Sequence, residues 1–171
     1  RAASLPSVDV DTNGKLYVAW NDCRFRDGCT ENDMVISTSI DGGATWTAPL
    51  RIPIAPVTSP VNVLIYGLAA DPQKPGRLGL VYTSGICTAG TCLLGVGFTS
   101  SNDGGATWTA PRRLNAQPFP TTWLPRAEGG RMVGDYFSVS YAGDRVVPVF
   151  ALATSPLNGR LRQGIFAASL P

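Results

Sequence analysis

The octapeptide Ser39-Ile40-Asp41-Gly42-Gly43-Ala44-Thr45-Trp46 returns almost letter for letter as Ser101-Asn102-Asp103-Gly104-Gly105-Ala106-Thr107-Trp108. The identity continues through Thr47-Ala48-Pro49 and Thr109-Ala110-Pro111, and Asp41 and Asp103 stand 62 residues apart. A self-similar period of that size means similar units in series, none of which buries its apolar face alone. An apolar run precedes each copy (Met34-Val35-Ile36 and Leu93 to Phe98), and strand-like stretches follow at 46–52 and 108–114. Between them sits Asp-Gly-Gly, where Gly43 and Gly105 reach positive φ without steric cost, so each copy predicts a hairpin turn. Asp41 and Asp103 can accept hydrogen bonds from their own turns, and the hydroxyls of Ser39, Thr45, Ser101 and Thr107 can do likewise. Trp46 and Trp108 are expected to leave the turn and bury area beside a neighbouring strand. The same loop in successive units reads as scaffold. A catalytic or metal-binding role for the two aspartates is the sharper alternative.

The rest of the chain follows the period. In the first unit, 7–10 and 15–20 read as strands around the turn Asp11-Thr12-Asn13-Gly14. A loop at 21–33, a third strand, the box and a fourth strand complete it. The second unit repeats the plan with strands at 63–70, 77–83, 93–99 and 108–114. A third begins with strands at 136–142 and 146–153 around Gly143-Asp144, continues at 161–168, and has no box. Proline-bearing connectors at 53–61 and 115–133 join the units. Serial four-stranded antiparallel units predict an all-β fold of β-propeller blades, at 4–53, 62–115 and, incomplete, 134–170. A β-sandwich of about ten strands is the other all-β reading, and the long repeat disfavours it. Ala2-Ala3-Ser4-Leu5-Pro6 recurs as Ala167-Ala168-Ser169-Leu170-Pro171, either by chance or because both occupy one place relative to a blade.

Composition agrees with many short strands: 15% charged residues against 44% apolar ones, with 19 Gly and 14 Pro. A net charge of +2 points to no nucleic-acid or anionic-membrane partner, and no apolar run is long enough to span a bilayer. No cofactor is implied. The four cysteines form two close pairs, Cys23 with Cys29 and Cys87 with Cys92, at matching places before each box. With no histidine, and with wider spacing than usual metal ligands, local disulfides are the expectation, although four cysteines could in principle hold zinc. Disulfides imply an oxidising compartment, so the protein is expected to be secreted or on the cell surface.

The boxes fit S-x-D-x-G-x-T-W and resemble the Asp-box of the BNR-repeat, sialidase-superfamily propellers. The loop Trp20-Asn21-Asp22-Cys23-Arg24-Phe25 and the late Gly134-Asp135-Tyr136 are similar to secreted bacterial members. The resemblance implies a ring of about six blades. It also implies arginines on a substrate carboxylate, for which the guanidinium fork is suited. A Tyr–Glu nucleophile pair and an Asp acid/base complete the family's site.

In an up-and-down blade the turns alternate between two faces. Boxes and first hairpin turns share one, and cysteine loops and connectors share the other, which bears the family's active site. By that resemblance Tyr136 and Glu128 are the candidate catalytic pair. Arg24, Arg26, Arg126, Arg131 and Trp123 are candidate substrate contacts, with Asp27 and Asp135 on the same face. Leu50-Arg51-Ile52-Pro53 imitates the family's R-I-P motif but follows a box, on an outer strand, so it is set aside. No aspartate can be placed as the acid/base, which makes the chain catalytically incomplete by itself. Two functions are expected: a segment of a sialidase-type glycoside hydrolase, or a non-catalytic propeller module binding glycan or protein. Because three blades cannot close a ring, the chain is expected to need the rest of a longer protein, or a second copy, as partner.

Overall fold

The computed structural model describes residues 5–128 and 130–171. Residues 2–4 of the first Ala-Ala-Ser-Leu-Pro copy, and the first residue of the predicted first blade, lie outside them. Among the described residues there is no α-helix, only two 3-10 turns at Asp27–Cys29 and Thr121–Trp123. The first sheet runs β1 (Ser7–Val10), β2 (Leu16–Asp22), β3 (Asp33–Ser39) and β4 (Leu50–Ile52), antiparallel throughout and in chain order. The second runs β5 (Asn62–Ala70), β6 (Leu78–Thr88), β7 (Thr91–Ser101) and β8 (Arg112–Arg113), with β9 (Phe119–Pro120) also pairing to β7. A small ribbon of β10 (Arg126–Ala127) and β11 (Gly130–Arg131) follows. The third sheet runs β12 (Ser138–Ala142), β13 (Arg145–Leu157) and β14 (Arg160–Ala167).

The sheets stack through two cores. Tyr17, Ala19 and Ile36 of the first sheet meet Leu68, Leu78 and Leu80 of the second. Val81, Val96 and Phe98 meet Phe137, Val139 and Phe150 of the third. The second sheet is therefore covered on both faces, which is why β5 and β6 read as nearly continuous apolar runs rather than alternating ones. Three ties reinforce the first junction. The Leu68 amide donates to Ser7 Oγ (3.0 Å), the Ala70 amide to Asp9 Oδ2 (2.8 Å), and the Gly76 amide to Asp11 Oδ2 (3.1 Å). At the second junction the backbones nearly touch: a methyl on Gly67 would lie 2.2 Å from the Phe137 carbonyl oxygen. The outward faces remain apolar and exposed, at Val8 and Val10 on one end and Ile165 on the other.

Both boxes form the same turn. Ser39 Oγ donates to Asp41 Oδ1 (2.7 Å) and accepts from the Gly43 amide (2.9 Å). The Thr45 amide donates to Asp41 Oδ1 (2.9 Å) and Thr45 Oγ1 to Asp41 Oδ2 (2.5 Å). Ser101, Asp103, Gly105 and Thr107 repeat these bonds. The indoles bend back: Trp46 Nε1 donates to the Gly43 carbonyl (3.0 Å) and Trp108 Nε1 to that of Gly105 (3.1 Å). The fourth strands are shorter than expected, at β4 and β8, because Trp46 to Pro49 and Trp108 to Pro111 lie outside any strand, held to the third strands by single amides of Thr47 and Thr109. The expected burial of Trp46 is also corrected, since it stays 43% exposed. Trp108 does pack on the first core, and its turn rests on the first sheet, with the Gly105 methyl position 3.1 Å from Ile36 Cδ1.

The carboxylates of Asp41 and Asp103 are lowered from the ordinary value to about 2, chiefly by the hydroxyls of Thr45 and Thr107 and then by the turn amides and the serines. A depressed folded-state value adds stability above the unfolded-chain value and loses it as pH falls through the folded one. Asp103→Asn is therefore expected to lower the melting temperature at pH 6. The gap from wild type should narrow as the pH drops from about 4 to about 2. Thermal melts across that range check it; a gap independent of pH contradicts it.

Candidate functional site

The connector ends of the first two sheets carry the cysteines. Cys23 and Cys29 are bonded to each other across the loop leaving β2, and Cys87 and Cys92 close the β6–β7 hairpin. All four cysteines are thereby used, which removes the zinc alternative. Among the described residues no cluster of three or more His, Cys, Asp or Glu is placed to hold a metal ion.

The predicted arginines go to different places. Arg24 is exposed, ion-paired with Asp22 (2.7 Å), with its guanidinium 5.9 Å from the centre of the Trp20 ring. Arg26 turns inward. Its side chain is 1% exposed, and its fork meets Asp33 through Nε to Oδ2 (2.8 Å) and Nη2 to Oδ1 (2.7 Å). Its remaining donors hold the carbonyls of Pro56, Val57, Ser59 and Val61. Arg51, the residue of the imitation R-I-P motif, donates Nη2 to Asp33 Oδ1 (2.8 Å) and also to the Ala55 carbonyl. Burial pulls Asp33 upward, but hydrogen bonds and charge from Arg51 and Arg26 outweigh it and hold the carboxyl below its ordinary value. This buried Arg–Asp–Arg cluster pins connector 53–61 to the first sheet. Nothing in the sequence around Asp33 marked it, because an acid opening a strand looks like any exposed charge.

Arg126 and Arg131 are brought together. They are cross-strand partners on the β10–β11 ribbon, so both guanidinium groups leave the same face of it. Arg131 Nη1 donates to the Leu124 carbonyl (2.5 Å), whereas Arg126 is exposed and makes no hydrogen bond or ion pair among the described residues. Like charges directly opposite destabilise a strand pair, so this ribbon carries an unneutralised electrostatic cost. Glu128 is exposed at the ribbon's turn. Trp123, half-buried in its 3-10 turn, packs against the second core. Tyr136 is 82% exposed on the segment leading into β12, and among the described residues no hydrogen bond joins it to Glu128. Asp27 and Asp135 are also exposed.

Solved structures define the fold. The chain is similar to a xylan β-1,4-xylosidase from Bacillus halodurans C-125 (TM-score 0.56, 14% identity), with 97% of this chain and 28% of that one covered. It is similar to the NanB sialidase from Streptococcus pneumoniae (0.52, 10%), with 99% and 44% covered. It is also similar to an α-L-arabinanase from Penicillium chrysogenum solved with arabinobiose (0.54, 18%), with 86% and 41% covered. No protein-family model matches the chain, and no curated protein sequence matches it. The chain is thus an all-β, β-propeller segment, spanning less than half the length of these three structures.

Removing the shared acid of the buried cluster strands two cations. Asp33→Asn is expected to cost about 3–5 kcal/mol, the usual penalty for breaking a buried ion pair on one side. It should also open the backbone between Pro56 and Val61 to proteolysis. Urea melts and limited digestion check both; a variant within about 0.5 kcal/mol of wild type contradicts the pinning role.

Proposed function

We propose that this chain is part of a secreted, Asp-box, sialidase-like propeller that recognises carboxylate-bearing glycans on its connector face. The observation that carries the reading is the Arg126–Arg131 pair, two cations on one side of a short ribbon with no ion pair among the described residues. An anion relieves their repulsion, and a carboxylate matches the guanidinium fork. Carbohydrate is the favoured class because the similar structures are a xylosidase, a sialidase and an arabinanase. Trp123 and Arg24 are proposed as flanking contacts, with Arg26 holding the neighbouring connector in shape. Two local disulfides are in keeping with an extracellular place.

In this reading the blades are 4–53, 62–115 and 134–170, and further blades from a longer chain or a second copy cover the apolar faces at Val8, Val10 and Ile165. Tyr136 and Glu128 are the pair that such an assembly would use for hydrolysis. No hydrogen bond joins them among the described residues, which favours binding over turnover for the chain alone.

Titration with sialyllactose tests the reading. Arg126→Gln is expected to weaken binding at least about tenfold with an unchanged melting temperature, while Tyr136→Phe binds like wild type. No binding by wild type, or equal binding by Arg126→Gln, overturns it.

A further inference from the structure

Between the second sheet and connector 53–61 lies a cavity of about 620 Å³, within the range of small-ligand sites. Its floor is the sheet face on which Tyr82, Gly97 and Arg113 form one cross-strand row and Ser84 and Gly95 the next. Ile54, Ala55 and Val61 line it from the connector, and Ile86 and Leu93 from the hairpin end. The two glycines shape it. A methyl on Gly97 would lie 2.5 Å from both Cζ and Oη of Tyr82, so only glycine lets that ring lie across the strand. A methyl on Gly95 would meet nothing nearer than Asn115 Oδ1 at 3.7 Å and the Arg113 Cζ at 4.0 Å, so this position is open floor under the guanidinium.

Two features of the floor suit an anion. Tyr82 lines the cavity, and its hydroxyl makes no hydrogen bond among the described residues, so it is free to donate to a ligand. Burial raises this phenol to about 12, against a smaller lowering by the Arg113 charge, so it stays a proton donor at neutral pH. The second feature is charge. Among the described residues, Arg112 and Arg113 line the cavity without an ion pair, and no Asp or Glu lines it.

We infer that this groove is a second glycan subsite, taking a uronate residue of an acidic saccharide, with Arg113 and the Tyr82 hydroxyl on the carboxylate and the sugar ring lying over Gly95. The saccharide, rather than another carboxylate, rests on the proposed function above. The anion site itself rests on the groove alone. Sequence reading passed over it because glycines inside β7 look like weak points in a strand, not a floor, and the Arg-Arg pair after the box looks like ordinary surface charge.

Calorimetric titration with trigalacturonate, its methyl ester and triglutamate tests this on the same chain. Wild type is expected to bind trigalacturonate at least about tenfold more tightly than either other probe. Arg113→Gln should lose at least about tenfold, and Gly95→Val, which fills the floor without entering strained backbone, should lose binding with an unchanged melting temperature. Arg126→Gln should lower this affinity less than Arg113→Gln does. Loss in Arg126→Gln but not in Arg113→Gln refutes the groove and leaves the ribbon reading standing. Absence of sialyllactose binding with trigalacturonate binding retained at Arg113 does the reverse. Equal binding of triglutamate, or no trigalacturonate binding, overturns the inference.

Discussion

The structure depends on how the inner edge of one sheet is satisfied by its neighbour. β5 is an edge strand, and an edge presents amides with no strand to receive them. Ser7 and Asp9 project from β1 onto that edge and accept the amides of Leu68 and Ala70, and Asp11 accepts that of Gly76 one turn further on. Asp11 is itself held by the Tyr17 hydroxyl (2.7 Å) and by the amides of Asn13 and Lys15. One alternating strand therefore does two things. Its polar residues tie it to the next blade, and its apolar residues, Val8 and Val10, are left facing the other way. The stacking of the first sheet on the second rests on that junction.

The proposed function sits on the opposite kind of segment. Connector 53–61 has no ladder of its own, so side chains must hold it. The buried Arg26–Asp33–Arg51 cluster does this for 53–61, and that pinned connector forms one wall of the groove over Gly95. The β10–β11 ribbon, by contrast, is exposed and carries its charge outward. One arginine of the cysteine loop thus acts as internal framework, while those of the ribbon stay available to an anion.

Much of the fold was legible in the sequence because it is written locally. The Ser-Asp-Gly-Thr turn closes on itself within seven residues in both copies, and β1 spans the four residues that alternation and the Asp11–Gly14 turn indicated. What was not legible depends on distant partners. Identical boxes have different surroundings, so Trp46 stays exposed while Trp108 meets a core built by another sheet. The fourth strands are shorter than their composition suggested because Trp46 to Pro49 and Trp108 to Pro111 lie outside any strand. Arg24 and Arg26 sit two residues apart in one loop. Only the burial of Asp33, with Pro56, Val57, Ser59 and Val61 beyond it, separates their roles.

The central claim is that these sheets form one stack, joined at backbone contact rather than side by side as independent units. Gly67 tests it most directly, since a methyl there would also lie 2.7 Å from the Phe137 carbonyl carbon, and backbone cannot rotate away. Hydrogen exchange on Gly67→Ala is the measurement. The account expects a loss of about 1–3 kcal/mol, the usual cost of overpacking. Protection should fall first in β12 and β13 around Val139 and Val146, with β2 and β3 holding theirs longer. A variant that exchanges like wild type throughout would contradict the stack.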